Sequence, residues 1–326
     1  MISVIIPTRN RANLLSVTLP TILNQSLGNE RYEIIVVDNG SDDNTWEVVE
    51  FYQRNNKNIT YVWEERLGLH NGRHAGMDKA KYDNLVFVDD DIWARPNWLK
   101  GITNGFEDGD VKLIGGNNLP LFAKQPPMWL QFLWSWNMKL GYKSIPALSV
   151  IEFSYKRIKE ISPYNVWGCN FAVRRDIVDR AGGFHPDGMP KSLIQFRGDG
   201  ESHISDFIYW NRQKCIFVPE ATIYHTVTES RMTHNYFYDQ GYKEGITSSY
   251  RMLRGDIEDD KPTLTKNMRN YFLNGFKSVA FKFGGRELTE VLNHYNNGVE
   301  KGFNDHIAAY NHNAQLRDWV HKGKYY

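Results

Sequence analysis

The first hundred residues alternate between two hydrophobic periodicities, and this alternation constrains the fold more than any other feature. Residues 2–6 form a run rich in β-branched side chains that Pro7 closes, which predicts a strand buried on both faces. Residues 13–27 then space their apolar side chains as a helix does. The pattern repeats, with strands predicted at residues 33–37, 59–63 and 85–88, a helix capped by Ser41 or Asp42, and a helix at residues 71–81.

Strands that alternate with helices over short connections predict βαβ units, and hence an α/β fold with a mainly parallel sheet. Ligands of such sheets bind beyond the carboxyl ends of the strands. After residue 100 the pattern loosens, and strand-like patterns return at residues 166–173 and 216–225. From residue 233 onward the chain is predicted to be mostly helical, with a break at residues 255–262.

Composition and charge exclude several classes of protein. The 326 residues carry 39 Lys and Arg against 38 Asp and Glu, and a net charge of +1 argues against a protein that neutralises a nucleic-acid backbone. Two cysteines, Cys169 and Cys215, are too few for a disulfide framework, so we expect a reduced compartment, the cytoplasm. The apolar N-terminal run is short and lacks a preceding basic segment, so we expect neither a signal peptide nor a membrane anchor.

Three consecutive carboxylates, Asp89, Asp90 and Asp91, end the fourth predicted strand. Negative charge beside a low-dielectric core is costly unless a cation is bound. Carboxylate oxygens suit Mg²⁺ or Mn²⁺, which keep other coordination positions for substrate phosphates. Because alternate residues of an extended segment point the same way, Asp89 and Asp91 can serve one site while Asp90 faces elsewhere. The competing interpretation is a solvated acidic turn.

Four segments, in their order and spacing, resemble the GT-A glycosyltransferases of family 2, and the resemblance covers about residues 1–230. The segments are the opening strand with Pro7-Thr8-Arg9, the second strand with Asp38-Asn39-Gly40-Ser41, the glycine- and arginine-bearing residues 68–76, and the Asp-x-Asp signature at residues 87–91. The resemblance implies a Rossmann-like, mainly parallel central sheet flanked by helices. It further implies a nucleotide-binding half at residues 1–115, an acceptor-binding half at residues 116–230 and a helical C-terminal region at residues 231–326.

The same resemblance assigns roles to individual side chains. The residues implied in donor binding are Pro7, Thr8, Arg9, Asp38, Asn39, Arg73, Asp89 and Asp90. The implied ligands of a Mn²⁺ or Mg²⁺ cofactor are Asp89, Asp91 and His225. Arg73 would pair with the diphosphate, since a planar guanidinium matches phosphate oxygens. The alternative interpretation of Arg73 is an ordinary surface arginine, and the alternative interpretation of His225 is a structural histidine.

The second half resembles the acceptor side of the family. Residues 167–172 resemble the small-residue strand that closes over the donor sugar, and residues 182–185 match a common turn of the family. Inversion at the anomeric carbon needs one carboxylate within hydrogen-bond reach of the acceptor hydroxyl. Asp199 and Glu201 are both candidates, because many relatives carry Gly-Glu-Asp here and the order in this chain is altered. Two carboxylates that only favour a helix dipole are the alternative.

The aromatic residues 129–136, which include Trp129, Trp134 and Trp136, have three interpretations. They can be plain core, a stacking platform for acceptor sugars, or a segment that dips into a membrane interface. The third interpretation corresponds to peripheral contact with the inner face of a membrane.

The sequence therefore predicts a metal-dependent, inverting glycosyltransferase. It would move a sugar from a nucleoside-diphosphate sugar to a glycan or lipid-linked acceptor, with no nucleic-acid partner. One alternative is a nucleotidyltransferase, which normally has a glycine-rich, lysine-bearing loop after the first strand; residues 7–13 contain no glycine. The other is a catalytically silent protein that binds sugar or nucleotide on the same fold.

Overall fold

The strands of the described residues form two sheets, and the larger sheet contains the buried runs of the first half. The structure, a computed structural model, describes residues 1–135, 141–256 and 285–326. The strands are β1 Ile2–Thr8, β2 Tyr32–Asp38, β3 Ile59–Trp63, β4 Asn84–Val88, β5 Ile92–Ala94, β6 Val111–Gly115, β7 Asn118–Phe122, β8 Tyr142–Ile145, β9 Val150–Phe153, β10 Lys159–Glu160, β11 Asn170–Arg174, β12 Lys214–Phe217 and β13 Ile223–Val227.

Helices flank the larger sheet and make up most of the described C-terminal region. They are α1 Ala12–Leu23, α2 Thr45–Gln53, α3 Leu69–Lys79, α4 Trp98–Gly105, α5 Met128–Ser135, α6 Arg175–Ala181, α7 Ser202–Trp210, α8 His234–Arg254, α9 Gly285–His312 and α10 Ala314–Val320. Trp136 and residues 257–262 of the predicted helix break lie outside the described residues. Within the described ranges, no helix combines the length and the apolarity that a membrane span requires.

The larger sheet has the order β10-β12-β6-β11-β4-β1-β2-β3. β1 runs parallel to β2 and β4, and β2 runs parallel to β3, as the βαβ pattern predicts. β11 enters this sheet antiparallel to β4 and β6. The carboxyl ends of β1, β2 and β4 therefore lie at one edge, beside the amino end of β11. The predicted α/β fold with a central sheet flanked by helices is confirmed.

The central strands are buried on both faces, because every residue of β1 and β2 is buried. Alternate side chains of β1 enter two different clusters: Val4 and Ile6 pack with Leu15 of α1, whereas Ile5 packs with Met77 of α3. Full burial of one such aliphatic side chain contributes about 1.5–3 kcal/mol. Helices on both faces thus account for the unbroken apolar runs.

The second half departs from the predicted pattern in two places. The strand predicted at residues 166–173 begins only at Asn170, because the backbone N–H of Asn170 turns back to the carbonyl of Trp167 at 2.8 Å. The pattern at residues 216–225 is divided between the two sheets. β12 pairs with β6 in the larger sheet, and β13 pairs with β7 and β5 in the smaller one. A turn that contains Pro219 separates them, and proline cannot donate to a sheet ladder.

Helices α8 and α9 of the described C-terminal region pack against α5. Trp129 and Leu130 of α5 are buried in one cluster with Phe237 of α8 and Leu288 of α9, so the core interpretation holds for Trp129. α8 and α9 approach closely at glycines: a Cβ on Gly241 would overlap the carbonyl oxygen of Tyr295. The predicted break after α8 begins at Gly255, which has a positive φ of 73°. The domain boundary at residue 230 stays a prediction.

Candidate functional site

The acidic triplet follows β4 directly, at the carboxyl edge of the sheet. Asp90 and Asp91 are buried, whereas the side chain of Asp89 is 31% exposed. The Thr8 hydroxyl donates to Asp90 Oδ2 at 2.6 Å, and Arg11 Nη1 lies 2.9 Å from Asp90 Oδ1. Burial raises the pKa of Asp90 to about 7, against the opposing charge of Arg11. The interpretation as a solvated acidic turn is therefore wrong.

Asp91 is held by two guanidinium groups and faces a histidine. Its Oδ2 accepts from Arg11 Nη2 at 2.5 Å and from Arg231 Nη2 at 2.8 Å. Its Oδ1 lies 3.2 Å from His225 Nε2. Burial acts to raise the pKa of Asp91, but the bond to His225 and the charges of Arg11 and Arg231 hold it well below its usual range. Asp91 is thus ionised, with one oxygen engaged by arginines and the other directed at His225.

Three side chains can share a metal ion here. Ligand atoms of Asp89, Cys169 and His225 all lie within 4.8 Å of one another. His225 reaches this position because β13 pairs with β5, the strand that follows the aspartates. Burial and the carboxylates of Asp89, Asp91 and Glu201 raise the pKa of Cys169 well above its usual value. A partly exposed carboxylate with a buried imidazole and a buried thiol, beside the carboxylate of Asp91, is a donor set that fits a divalent cation.

Glu201 lies beside the same site. Its Oε1 accepts the backbone N–H of Gly168 at 2.8 Å, and its Oε2 lies 3.0 Å from Arg73 Nη1. Gly168 directly precedes Cys169, so Glu201 is bonded to the residue next to one member of the group, and its charge acts on the Cys169 thiol. We call Asp89, Asp91, Cys169, Glu201 and His225 the strand-end site.

Asp199 is bonded to residues outside the strand-end site. Its side chain is buried, and its Oδ1 lies 2.7 Å from His185 Nδ1. Arg251 Nη1 lies 3.6 Å from its other oxygen. Burial acts to raise the pKa of Asp199, but the bond to His185 lowers it to about 2. The structure thus places one of the two candidate bases, Glu201, in the strand-end site and the other in the protein interior.

The carboxylates of Asp199 and Glu201 both have partners other than the first-turn amides of α7, so the interpretation as helix-dipole partners alone does not describe them.

Arg73 is buried at 2% exposure, so the interpretation as a surface arginine is wrong. Its guanidinium pairs with Glu201 and stacks over Phe184 at 4.9 Å. Its contact with a diphosphate stays a prediction.

The side chains predicted to hold the nucleotide base connect the strand-end loops to one another. Asp38 accepts from Ser41 N at 2.8 Å and from the Tyr61 hydroxyl at 2.9 Å. Asn39 donates to the carbonyl of Arg66 at 2.7 Å and accepts from Gly68 N at 2.9 Å. Their contact with a base stays a prediction.

The three consecutive residues at the end of β1 have different surroundings. Pro7 is buried against Gly72 of α3, on which an added Cβ would lie 3.1 Å from Pro7 Cβ. Thr8 bonds Asp90, whereas Arg9 is exposed and donates to the carbonyl of Gly40 at 3.3 Å. All three lie at the carboxyl edge, and their contact with a donor stays a prediction.

Sequence reasoning missed Arg11 and the neighbourhood of Cys169, and it gave Arg231 no role. Arg11 is close in sequence to the end of β1, so charge complementarity with the acidic triplet is a signal that was available. Cys169 and Arg231 reach the site only through long-range pairing, and their contacts with it carry no local sequence signal.

Comparisons with known proteins agree with this architecture. The sequence model of glycosyl transferase family 2 matches residues 3–182. Chondroitin synthase of Pasteurella multocida (strain Pm70) is 36% identical over 117 residues, which are 35% of this chain and 12% of that protein. Validoxylamine A glucosyltransferase of Streptomyces hygroscopicus subsp. jinggangensis (strain 5008) is 38% identical over 104 residues, 31% of this chain and 24% of that protein. The chain thus spans a minor part of the length of these curated relatives.

The fold is also found among solved structures. Mannosyltransferase PcManGT from Pyrobaculum calidifontis, in complex with GDP-Man and Mn²⁺, matches with a TM-score of 0.56 and 18% identity. The match covers 98% of this chain and 82% of that chain. It confirms the expected GT-A fold. Because the family model matches more than half of the chain, in the region that bears the acidic triplet, this protein belongs to glycosyl transferase family 2.

Proposed function

We propose that this chain is a metal-dependent, inverting glycosyltransferase that moves a sugar from a nucleoside-diphosphate sugar to a glycan or lipid-linked acceptor. The observation that carries the proposal is the position of Glu201, whose carboxylate lies in the strand-end site next to the group of Asp89, Cys169 and His225. Related proteins support the substrate class: one is named a chondroitin synthase, and a structural neighbour was solved with GDP-Man and Mn²⁺.

Glu201 is the proposed general base. Gly168 N–H and Arg73 each engage one of its oxygens, which holds the carboxylate in a defined orientation. It accepts the proton of the acceptor hydroxyl while that oxygen bonds to the anomeric carbon. The bond from this carbon to the phosphate oxygen breaks, and the nucleoside diphosphate leaves with the electron pair. Because attack and departure occur on opposite faces, one displacement inverts the configuration.

Asp89, Asp91 and His225 are the proposed ligands of the metal. A divalent ion bound there supplies positive charge against the leaving diphosphate. Arg11 and Arg231 engage Asp91 Oδ2, so they orient the carboxylate with Oδ1 toward His225. Residues at the ends of β1 and β2, which include Thr8 and Asp38, are the proposed contacts of the nucleotide.

Glu201→Gln tests the proposed base. Nucleoside diphosphate release is measured with Mn²⁺, a panel of UDP- and GDP-sugars and a panel of glycan acceptors, and NMR of the product gives the anomeric configuration. We expect the variant to lose about 100- to 10,000-fold in turnover, because it removes the general base but keeps the side-chain shape. Glu107→Gln, the same change at an exposed position, is the matched control and should keep full turnover.

Three other outcomes contradict the proposal. Full turnover in Glu201→Gln, with loss in a folded Asp199→Asn variant, would assign the base to Asp199. Donor binding without turnover in the unaltered protein would identify a silent binding protein. Release of pyrophosphate from a nucleoside triphosphate in place of diphosphate release would identify a nucleotidyltransferase.

A further inference from the structure

The donor atoms of the strand-end site include a sulfur, which the acidic triplet alone does not predict. Cys169 is 3% exposed, and its Sγ lies within 4.8 Å of ligand atoms of Asp89 and His225. We propose that Cys169 binds the metal as a thiolate together with Asp89 and His225, so that this site prefers cations that accept sulfur, such as Zn²⁺ or Co²⁺, over Mg²⁺. This inference rests on the metal site of the proposed function and specifies its ligands.

A directed chain of hydrogen bonds prepares the sulfur for this role. Trp98 Nε1–H can only donate, and it donates to Asn170 Oδ1 at 3.0 Å. This bond fixes the amide of Asn170, whose Nδ2 then donates to Asn118 Oδ1 at 3.1 Å. Asn118 Nδ2 is thereby directed at Cys169 Sγ, at 3.2 Å.

The direction of these hydrogen bonds matters because they present an N–H donor to the sulfur. An outer hydrogen bond of this kind orients a metal ligand and tunes its binding. Trp98, Asn118 and Asn170 are all buried, so the donor is held in place by the core rather than by solvent. The metal-free thiol has its own acceptor, the carbonyl of Ser149 at 3.7 Å from Sγ.

Metal binding then replaces the thiol proton of Cys169 by the divalent cation. The S–H bond of Cys169 breaks, its proton passes to solvent, and the sulfur electron pair forms the bond to the divalent ion. The carboxylates of Asp89 and Asp91 supply the remaining negative charge near the ion. No change of oxidation state is involved.

The other cysteine provides a matched control. Cys215 on β12 is equally buried, at 2% exposure, but it packs among apolar side chains that include Leu113 and Val173. Serine at either position replaces a buried thiol by a hydroxyl of similar shape. Only Cys169 should affect the metal.

Co²⁺ titration of the full chain tests the inference by absorption spectroscopy. We expect a near-ultraviolet sulfur-to-cobalt charge-transfer band in the unaltered protein and in Cys215→Ser, and its loss in Cys169→Ser with the visible cobalt bands retained. Loss of an outer partner of a metal ligand typically costs about 10- to 100-fold in metal affinity. Loss of the thiolate itself should therefore weaken Zn²⁺ binding by at least that factor in calorimetry, with little change for Mg²⁺.

Other results would overturn the inference and separate it from the proposed function. Visible cobalt bands without a charge-transfer band in the unaltered protein would show a metal site without sulfur, which leaves the proposed function intact. A charge-transfer band that persists in Cys169→Ser and disappears in Cys215→Ser would assign the sulfur elsewhere. Absence of Co²⁺, Zn²⁺ and Mn²⁺ binding would overturn both proposals. Cys169→Ala and thermal melting of all variants confirm that a lost band reflects a lost ligand.

Discussion

Asp199 and Glu201 are separated by a single glycine, yet they lie in two regions of opposite character. Glu201 belongs to the strand-end site and pairs with Gly168 and Arg73. Asp199 belongs to an interior network, which we define as His70, His185, Asp199, Tyr250 and Tyr325. In this network Asp199 pairs with His185, Tyr250 bonds Tyr325 at 2.7 Å, and the ring of His70 contacts that of Tyr325.

The residue between the two carboxylates explains their separation. Gly200 has a positive φ of 57°, and the chain turns there before α7 begins at Ser202. Glycine adopts this backbone conformation readily, whereas residues with a Cβ adopt it only at a cost in free energy. We infer that these neighbouring carboxylates have different functions: Asp199 contributes to the stability of the fold, and Glu201 is the proposed base. Three predictions test that division, from the largest expected effect to the smallest.

Asp199→Ala should reduce stability far more than turnover. It leaves the buried His185 without its carboxylate partner and removes one of the two acidic partners of Arg251, and loss of one member of a buried ion pair costs about 3–5 kcal/mol. Chemical denaturation measures the loss, and Asp110→Ala at an exposed position should change little. The milder Asp199→Asn keeps the shape, so its turnover can be compared under folded conditions. A folded Asp199→Asn variant without turnover would contradict the assignment of Asp199 to stability and of Glu201 to catalysis.

The interior network should also make stability depend on pH. Burial lowers the pKa of His70 from 6.5 to about 4, although Asp187 acts to raise it and Arg73 and Arg66 add to the lowering. The unfolded chain therefore binds more protons than the folded chain between these values. Stability is full above pH 6.5 and falls as the pH decreases toward 4, by about 3 kcal/mol from this group.

Denaturation at a series of pH values checks this slope. His70→Phe should reduce the slope, because the variant removes one of the buried histidines, which include His74 and His306, whose pKa the folded state lowers. His312→Phe, at an exposed position on α9, should leave the slope unchanged. An unaltered slope in His70→Phe would show that His70 does not contribute to the pH dependence of stability.

Gly168→Ala should have the converse effect, with turnover reduced more than stability. A Cβ there would overlap Arg73 Nη2 and lie 2.9 Å from Glu201 Oε1, so the proposed base must shift. Misplacement of a reacting group by about 1 Å can cost about 100-fold in rate. Gly109→Ala is the control, because a Cβ at Gly109 has open space around it. Full turnover in Gly168→Ala would show that the position of Glu201 is not critical.

Much of the first half could be predicted from sequence, because its signals are local. The predicted strand at residues 59–63 has the observed bounds of β3, and β1, β2 and β4 extend the predicted runs by only one or two residues. The predicted helix at residues 13–27 is observed as α1, which ends at Leu23. The chain leaves the helix there, and the N–H of Ser26 bonds the carbonyl of Pro96 at 2.8 Å, a contact between distant segments.

The site was predictable only in part. The position of the acidic triplet at the end of a buried strand follows from the periodicity that precedes it. The burial of Asp90 and Asp91 does not, because it depends on Thr8, Arg11 and Arg231 from other segments. Nor could spacing decide between Asp199 and Glu201, since the turn at Gly200 and the packing of His185 determine which carboxylate faces the site.

The sequence by itself determined the α/β alternation and the carboxylates at the end of β4, since both depend on residues a few positions apart. Only the tertiary structure decided which distant side chains join them. His225 arrives through the pairing of β13 with β5, Cys169 immediately precedes β11 beside β4, and Glu201 arrives at the start of α7. The chemical role of a side chain depends on its neighbours in space. In a sheet, these neighbours come from strands that are far apart in the sequence.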